Sequence, residues 1–199
     1  MAFTVPKLKY NYDALEPYLS QDVVHYHYGK RTKKYFDTTN ELIKGTMFEG
    51  SKTLDGLIAH KQLKKNTKLY HNAMQAYNHS LYWENLASHK ISGSPSKELL
   101  TAIEQQWKSV DEMIEQFNNI ANNHFSNGWC WLVLEQNKLA IVDTHDANQP
   151  TGKILLVVDL WEHSHEVQYP ADRTKYLNNI WLIINWNVVN EKYDTAIKK

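Results

Sequence analysis

After Ser20, apolar and aromatic positions recur every three or four residues, which predicts a helix capped by Ser20, running to about Ile43 and ended at Gly45. Asp13 to Leu19 forms a short polar segment ahead of it. A second long helix is predicted from about Asn66 to Leu86, with Leu69, Ala73, Ala76 and Tyr77 on its apolar side, and a short helix over Thr53 to Lys61 lies between the two. Residues 1–89 therefore read as a helical hairpin domain.

The stretch Ser88 to Ser96 is rich in Ser, Gly and Pro and carries no periodicity, so the domain boundary is placed there. Beyond it, Lys97 to Trp107 reads as a helix, and Ser109 with Glu112 forms a capping-box pattern that opens another towards His124. The period then changes. Trp129 to Glu135 and Lys138 to Thr144 are β-rich runs joined by Gln136-Asn137, a hairpin signal, and Ile154 to Asp159 supplies a third strand. Asp172 is expected to cap a last helix with Tyr176, Leu177, Ile180, Trp181 and Ile184 on one stripe. The fold class is thus α+β: an N-terminal α-helical hairpin followed by a C-terminal α/β domain, residues 90–199, with a three-stranded antiparallel sheet.

Composition narrows the function. The 199 residues, 42% hydrophobic with seven Trp and twelve Tyr, make a packed chain and exclude a disordered one. Twenty-two basic residues balance twenty-two acidic ones, so no global field favours nucleic acid or anionic lipid. No run approaches the roughly 18 apolar residues of a membrane helix. The single Cys130 cannot form an intramolecular disulfide, and residues 1–9 lack the apolar core of a signal peptide, which leads to the expectation of a cytoplasmic protein.

Ten His is a high count, yet a histidine taken singly is most often a surface or core residue. Helical spacing singles out some of them. His27, Arg31 and Tyr35 are successive fourth residues of the first helix, and Gln75, His79 and Trp83 repeat the spacing in the second. Asp159 ends an apolar strand, where an unpaired carboxylate is costly, and His163 follows four residues later. Three imidazoles and one carboxylate would suit iron, manganese or zinc rather than magnesium or calcium. The competing reading is that Asp159 caps the next turn and His163 is a packed core residue.

Five segments stand in order along the chain: PKLKYNYDALEPYLS, HYHYGK around His27, NHSLYW around His79, NGWCWLV, and DLWEH at Asp159 to His163. Along nearly its whole length the chain resembles the iron/manganese superoxide dismutases. The resemblance implies a metal between the domains, one ion per subunit, held by His27, His79, Asp159 and His163, and the conversion of superoxide to dioxygen and hydrogen peroxide. It places Gln75 beside a metal-bound solvent, Tyr35 at the substrate funnel, and Trp83, Trp129 and Trp161 in the surrounding apolar wall. It also implies a homodimer in which Glu162 and His163 bridge reciprocally between subunits. Members that use iron mostly take the solvent-bonding Gln from the second helix, as at Gln75. Those that use manganese take it from the loop after the second strand, where this chain has Ala147, with Gln149 too late. Iron is therefore expected, with manganese as the alternative.

The chain also departs from the family. Arg31 stands where the family has His, and Glu166 where it has an interface Tyr; Pro170 and Ala171 replace polar residues, while Arg173 is retained. An Arg31–Glu166 ion pair between subunits is expected in place of the family's hydrogen bond. The same departures raise the alternative of a non-catalytic, metal-binding dimeric paralogue. A hydrolytic metalloenzyme would need a general base beside an open metal position, and none is recognisable.

Overall fold

The computed structural model describes residues 2–198. Helix α1 (Gln21–Tyr26) passes through a π-helical turn, His27–Thr32, into α2 (Lys33–Ile43). The short α3 (Leu54–Ile58) leads to the long α4 (Thr67–Glu84). Then come α5 (Lys97–Trp107), α6 (Val110–Asn123), strands β1 (Gly128–Glu135), β2 (Lys138–His145) and β3 (Lys153–Asp159), the single turn α7 (Glu162–His165), α8 (Arg173–Ile180) and α9 (Trp186–Ile197).

Local chemistry accounts for most of these limits. Ser20, Asn66, Ser96, Ser109 and Asp172 each accept a hydrogen bond from the backbone N–H three residues on, which satisfies a donor left free at a helix start. Gln136 and Asn137 both adopt positive φ, the conformation of a tight hairpin turn, and join β1 to β2 in antiparallel register.

Two helices differ from their sequence patterns. The first is expected to be regular from Ser20 to Ile43, but Lys33 N–H reaches the Tyr28 carbonyl five residues back, which opens the π turn. The helix after Asp172 is expected to be the last and to carry Trp181 and Ile184. Instead α8 stops at Ile180, and Trp181–Ile183 form a 3₁₀ turn ahead of α9. The cause is tertiary. Ile184 forms a bridge with Leu86, and Asn185 N–H bonds the Asn85 carbonyl at 2.8 Å, so this backbone is held by the end of α4 rather than by its own helix.

The sheet order is β2-β1-β3, antiparallel throughout. Central β1 is buried from Gly128 to Leu134, which explains its unbroken apolar run. Gly128 admits no side chain, since a Cβ there would lie 2.2 Å from the Thr144 carbonyl oxygen and 2.3 Å from His124 Nε2. A large core joins the sheet to the helices around it, and a smaller one, including Phe36, Phe48, Leu57 and Leu69, fills the helical hairpin. Helix α4 spans both halves: Leu69 and Ala73 face the small core, Tyr82 and Trp83 the large one, and Asn85 Nδ2 donates to Leu155 O on β3.

Candidate metal centre

Four side chains from four different elements converge where these halves meet. His27 opens the π turn, His79 lies within α4, Asp159 ends β3, and His163 sits in α7. His27, His79 and Asp159 are wholly inaccessible to solvent, and His163 is nearly so. One oxygen, Asp159 Oδ2, is 3.0 Å from His27 Nε2, 3.5 Å from His79 Nε2 and 3.4 Å from His163 Nε2. The Nε2 atoms of His79 and His163 are 3.2 Å apart, and all four ligand atoms lie within 4.8 Å of one another.

The local fold aims these atoms. His79 Nδ1–H donates to the Gln75 carbonyl at 2.7 Å, which fixes the tautomer and leaves Nε2 as a lone-pair donor. Asp159 Oδ1 accepts from Trp161 N–H at 2.8 Å, so Oδ2 is the oxygen turned inward. Ser164 Oγ donates to the Asp159 and Trp161 carbonyls and braces the turn that carries His163. Asp159 thus bonds the backbone just ahead of the following turn without capping it, and it faces the three imidazoles as well.

The electrostatics call for a cation. Burial lowers the His27 imidazole to about 4 and drives His79 well below its ordinary value, so both are neutral near neutrality. Burial acts to raise the Asp159 carboxyl, but the neighbouring His163 and His27 rings outweigh it and hold the group ionised. Yet neither His27 Nε2 nor Asp159 Oδ2 makes a directed hydrogen bond among the described residues. Donors each about 2.1 Å from one shared ion, at angles of about 90–120°, stand roughly 3.0–3.6 Å apart; four of the six separations, those given above, fall in that range, and the two from His27 to the other imidazoles lie within 4.8 Å. The residues present fit a nitrogen-rich site for a transition metal.

The other sequence-predicted residues surround this cluster. Trp83 packs 4.8 Å from His27, Trp129 lies 5.0 Å from His79, and Trp161 stacks 5.7 Å from His163, all between ring centroids. Gln75 is buried one turn before His79, and its Oε1 has no partner among the described residues. Ala147 is buried too, while Gln149 Nε2 is engaged by Asn78 Oδ1 at 2.8 Å. The Tyr35 ring lies 5.0 Å from that of His79, and burial, followed by the Asp159 charge, pushes its hydroxyl up to about 12.

A polar cleft of about 690 Å³ opens beside the centre, lined by Tyr26, Arg31, Tyr35, Trp161, Glu162 and Glu166 among others. Within the chain Arg31 and Glu166 do not pair. Arg31 Nε donates to Tyr26 Oη at 2.9 Å, and the Glu166 carboxylate accepts from Ala171 N–H at 3.1 Å. Sequence reasoning missed Tyr26 and Thr32. The partnership of Arg31 with a residue five positions earlier, and the bond from Thr32 Oγ1 to the His27 carbonyl, both belong to the π turn, to which a search for four-residue spacing is blind.

Comparison with known proteins identifies the family. Residues 2–87 match the family model described as iron/manganese superoxide dismutases, alpha-hairpin domain, and residues 95–192 match the C-terminal domain of the same family. The chain is 37% identical to a protein named superoxide dismutase [Fe] of Plasmodium falciparum over the whole of both chains. It is 39% identical to one of that name from Coxiella burnetii, over 97% of this chain and 99% of the relative. A third, from Entamoeba histolytica, is 37% identical over 96% of this chain and all of the relative.

Proposed function

We propose, for a chain that belongs to the iron/manganese superoxide dismutases, that His27, His79, Asp159 and His163 together hold one redox-active metal ion per subunit. The protein is a metal-dependent superoxide dismutase: two superoxide anions and two protons become one dioxygen and one hydrogen peroxide. The observation that carries the metal assignment is the convergence of four donor atoms within 4.8 Å of one another, two of which, His27 Nε2 and Asp159 Oδ2, are buried without a directed hydrogen bond among the described residues. When bound, the metal supplies the change between trivalent and divalent states that takes an electron from one superoxide and returns it to the next.

The chain's own residues supply approach, protons and tuning. The Arg31 guanidinium, always protonated, gives the cleft a fixed positive charge that attracts a small anion. Tyr35 keeps its proton at neutral pH and donates hydrogen bonds at the cleft; because Arg31 cannot release a proton, the proton route ends at Tyr35 and solvent. Gln75 presents a buried amide from the turn of α4 that bears His79, and through it adjusts the basicity of solvent at the centre.

Iron is the proposed metal. Its support is the helix-borne Gln75, Ala147 at the loop position, and the printed names of the relatives. A homodimer is proposed as well, because exposed Val167 and the carboxylates of Glu162 and Glu166 line the cleft. Across that dimer Glu166 is the proposed anion for Arg31, which pairs with no carboxylate among the described residues of its own chain. A cytoplasmic location rests on cysteine usage, Cys130 being a buried free thiol. The division into residues 1–89 and 90–199 rests on the aperiodic Ser88 to Ser96 stretch.

The test is metal analysis of protein expressed with both metals available, alongside a dismutation assay of the iron-loaded and manganese-loaded forms. Mainly iron, with activity in the iron form, is expected. Activity confined to the manganese form overturns the iron assignment, and a metal-loaded protein with no activity overturns the functional reading.

A further inference from the structure

We propose that Thr32 is a positioning residue: its hydroxyl pins the Trp83 indole against His27 and so holds that ligand's ring in place for the metal, an inference that rests on the reading of the centre above.

A ligating histidine is commonly oriented by a hydrogen bond from its second ring nitrogen. His79 has such a bond, to the Gln75 carbonyl. His27 does not: among the described residues no protein group pairs with its buried Nδ1. Its ring orientation therefore depends on what packs against it. Trp83 does so from one side, 4.8 Å away between centroids and inclined at 61°.

Trp83 is itself anchored at a single polar atom. Its Nε1–H donates to Thr32 Oγ1 at 2.9 Å, and the same hydroxyl donates to the His27 carbonyl oxygen, also at 2.9 Å. In a regular α-helix a threonine hydroxyl reaches the carbonyl four residues back at most. Here the π turn brings the carbonyl of the fifth preceding residue, the ligand's own, within its reach. Thr32 is wholly buried, and its hydroxyl both accepts from the indole and donates to the carbonyl. A cavity of about 220 Å³ is lined by Trp83 itself together with Tyr28, Thr32 and Leu81 among others. An indole released from Thr32 has room to move.

The experiment measures manganese(II) affinity of the metal-free protein by competition with a chelating indicator, and records the Trp83 indole proton by NMR. Thr32→Val keeps the shape and removes the hydroxyl; Thr32→Ser keeps the hydroxyl. Thr32→Val is expected to weaken binding by about tenfold or more and to shift the indole resonance, while Thr32→Ser stays within about twofold of the parent. A Thr32→Val protein that binds like the parent, or a Thr32→Ser protein that is weakened as much as Thr32→Val, overturns the positioning role. Should Thr32→Val fail to fold, Trp83→Phe removes the N–H from the other side, and unchanged affinity there overturns the role equally. A parent protein that takes up no ion overturns the reading of the centre itself, a result distinct from any difference among the variants.

Discussion

The imidazole of His79 gives its Nδ1 hydrogen to the backbone carbonyl of Gln75, one helical turn earlier and 2.7 Å away, while the Gln75 side-chain oxygen finds no partner among the described residues. One residue is thus proposed to serve the centre twice, and the two services are separable. The carbonyl bond survives any side-chain change; the amide does not. Gln75→Leu is therefore expected to retain the metal and the His79 tautomer while lowering turnover by about tenfold or more and shifting the midpoint potential. Metal content, potential and dismutation rate are measured together. Full activity at unchanged metal content would show that the amide has no part in tuning the centre.

Removing the metal is expected to lower thermal stability, because an ion that binds only the folded protein stabilises it by mass action. The effect should depend on Asp159, which supplies the only carboxylate among the four clustered donors. In Asp159→Asn, where that charge is absent, added iron(II) or manganese(II) should raise the melting temperature far less than in the parent. Equal shifts in both proteins would contradict the assigned donor set.

Acid should destabilise the metal-free protein over a window set by His27. Its folded-state value is lowered to about 4 from an ordinary 6.5, so between those values the unfolded chain binds more protons than the folded one. Stability from this group is intact above the upper value and declines as pH falls towards the lower. Asp159, also depressed, contributes stability above the usual carboxylate range and loses it only at more acidic pH. Urea midpoints of the metal-free protein should therefore drop steadily between about pH 7 and pH 5. A flat profile across that interval would count against a neutral, buried His27.

Arg31 and Glu166 make a paired prediction. Among the described residues of its own chain Arg31 donates to the Tyr26 hydroxyl, and Glu166 accepts from the Ala171 N–H with His165 Nδ1 3.8 Å away. If the two charges meet across a dimer, Arg31→His alone should weaken association or activity, and adding Glu166→Tyr should recover much of the loss, since a single change strands a charge. Sedimentation and dismutation assays of the single and double variants decide the matter. Strictly additive effects would show that the charges act independently.

Much of this molecule follows from local chemistry that a sequence displays directly. Ser20, Ser96, Ser109 and Asp172 cap helices because their side chains serve a backbone donor three residues away. Gln136-Asn137 turns a hairpin, and the unbroken apolar run of β1 reflects its central place in the sheet. The donor types were legible for a similar reason: a carboxylate ending an apolar strand, with a histidine four residues on, requires a partner. What local patterns do not determine is where chains of contact close. The helix after Asp172 stops early because the end of α4 claims the backbone at Ile184 and Asn185. The π turn, and with it the partners of Arg31 and Thr32, depends on an i to i−5 spacing that leaves no trace in a search for helical periodicity. The meeting of His27, His79, Asp159 and His163 is decided only when a helical hairpin and a sheet bury their apolar faces together, because the free energy that holds four donors in one dry place comes from those faces and not from the donors.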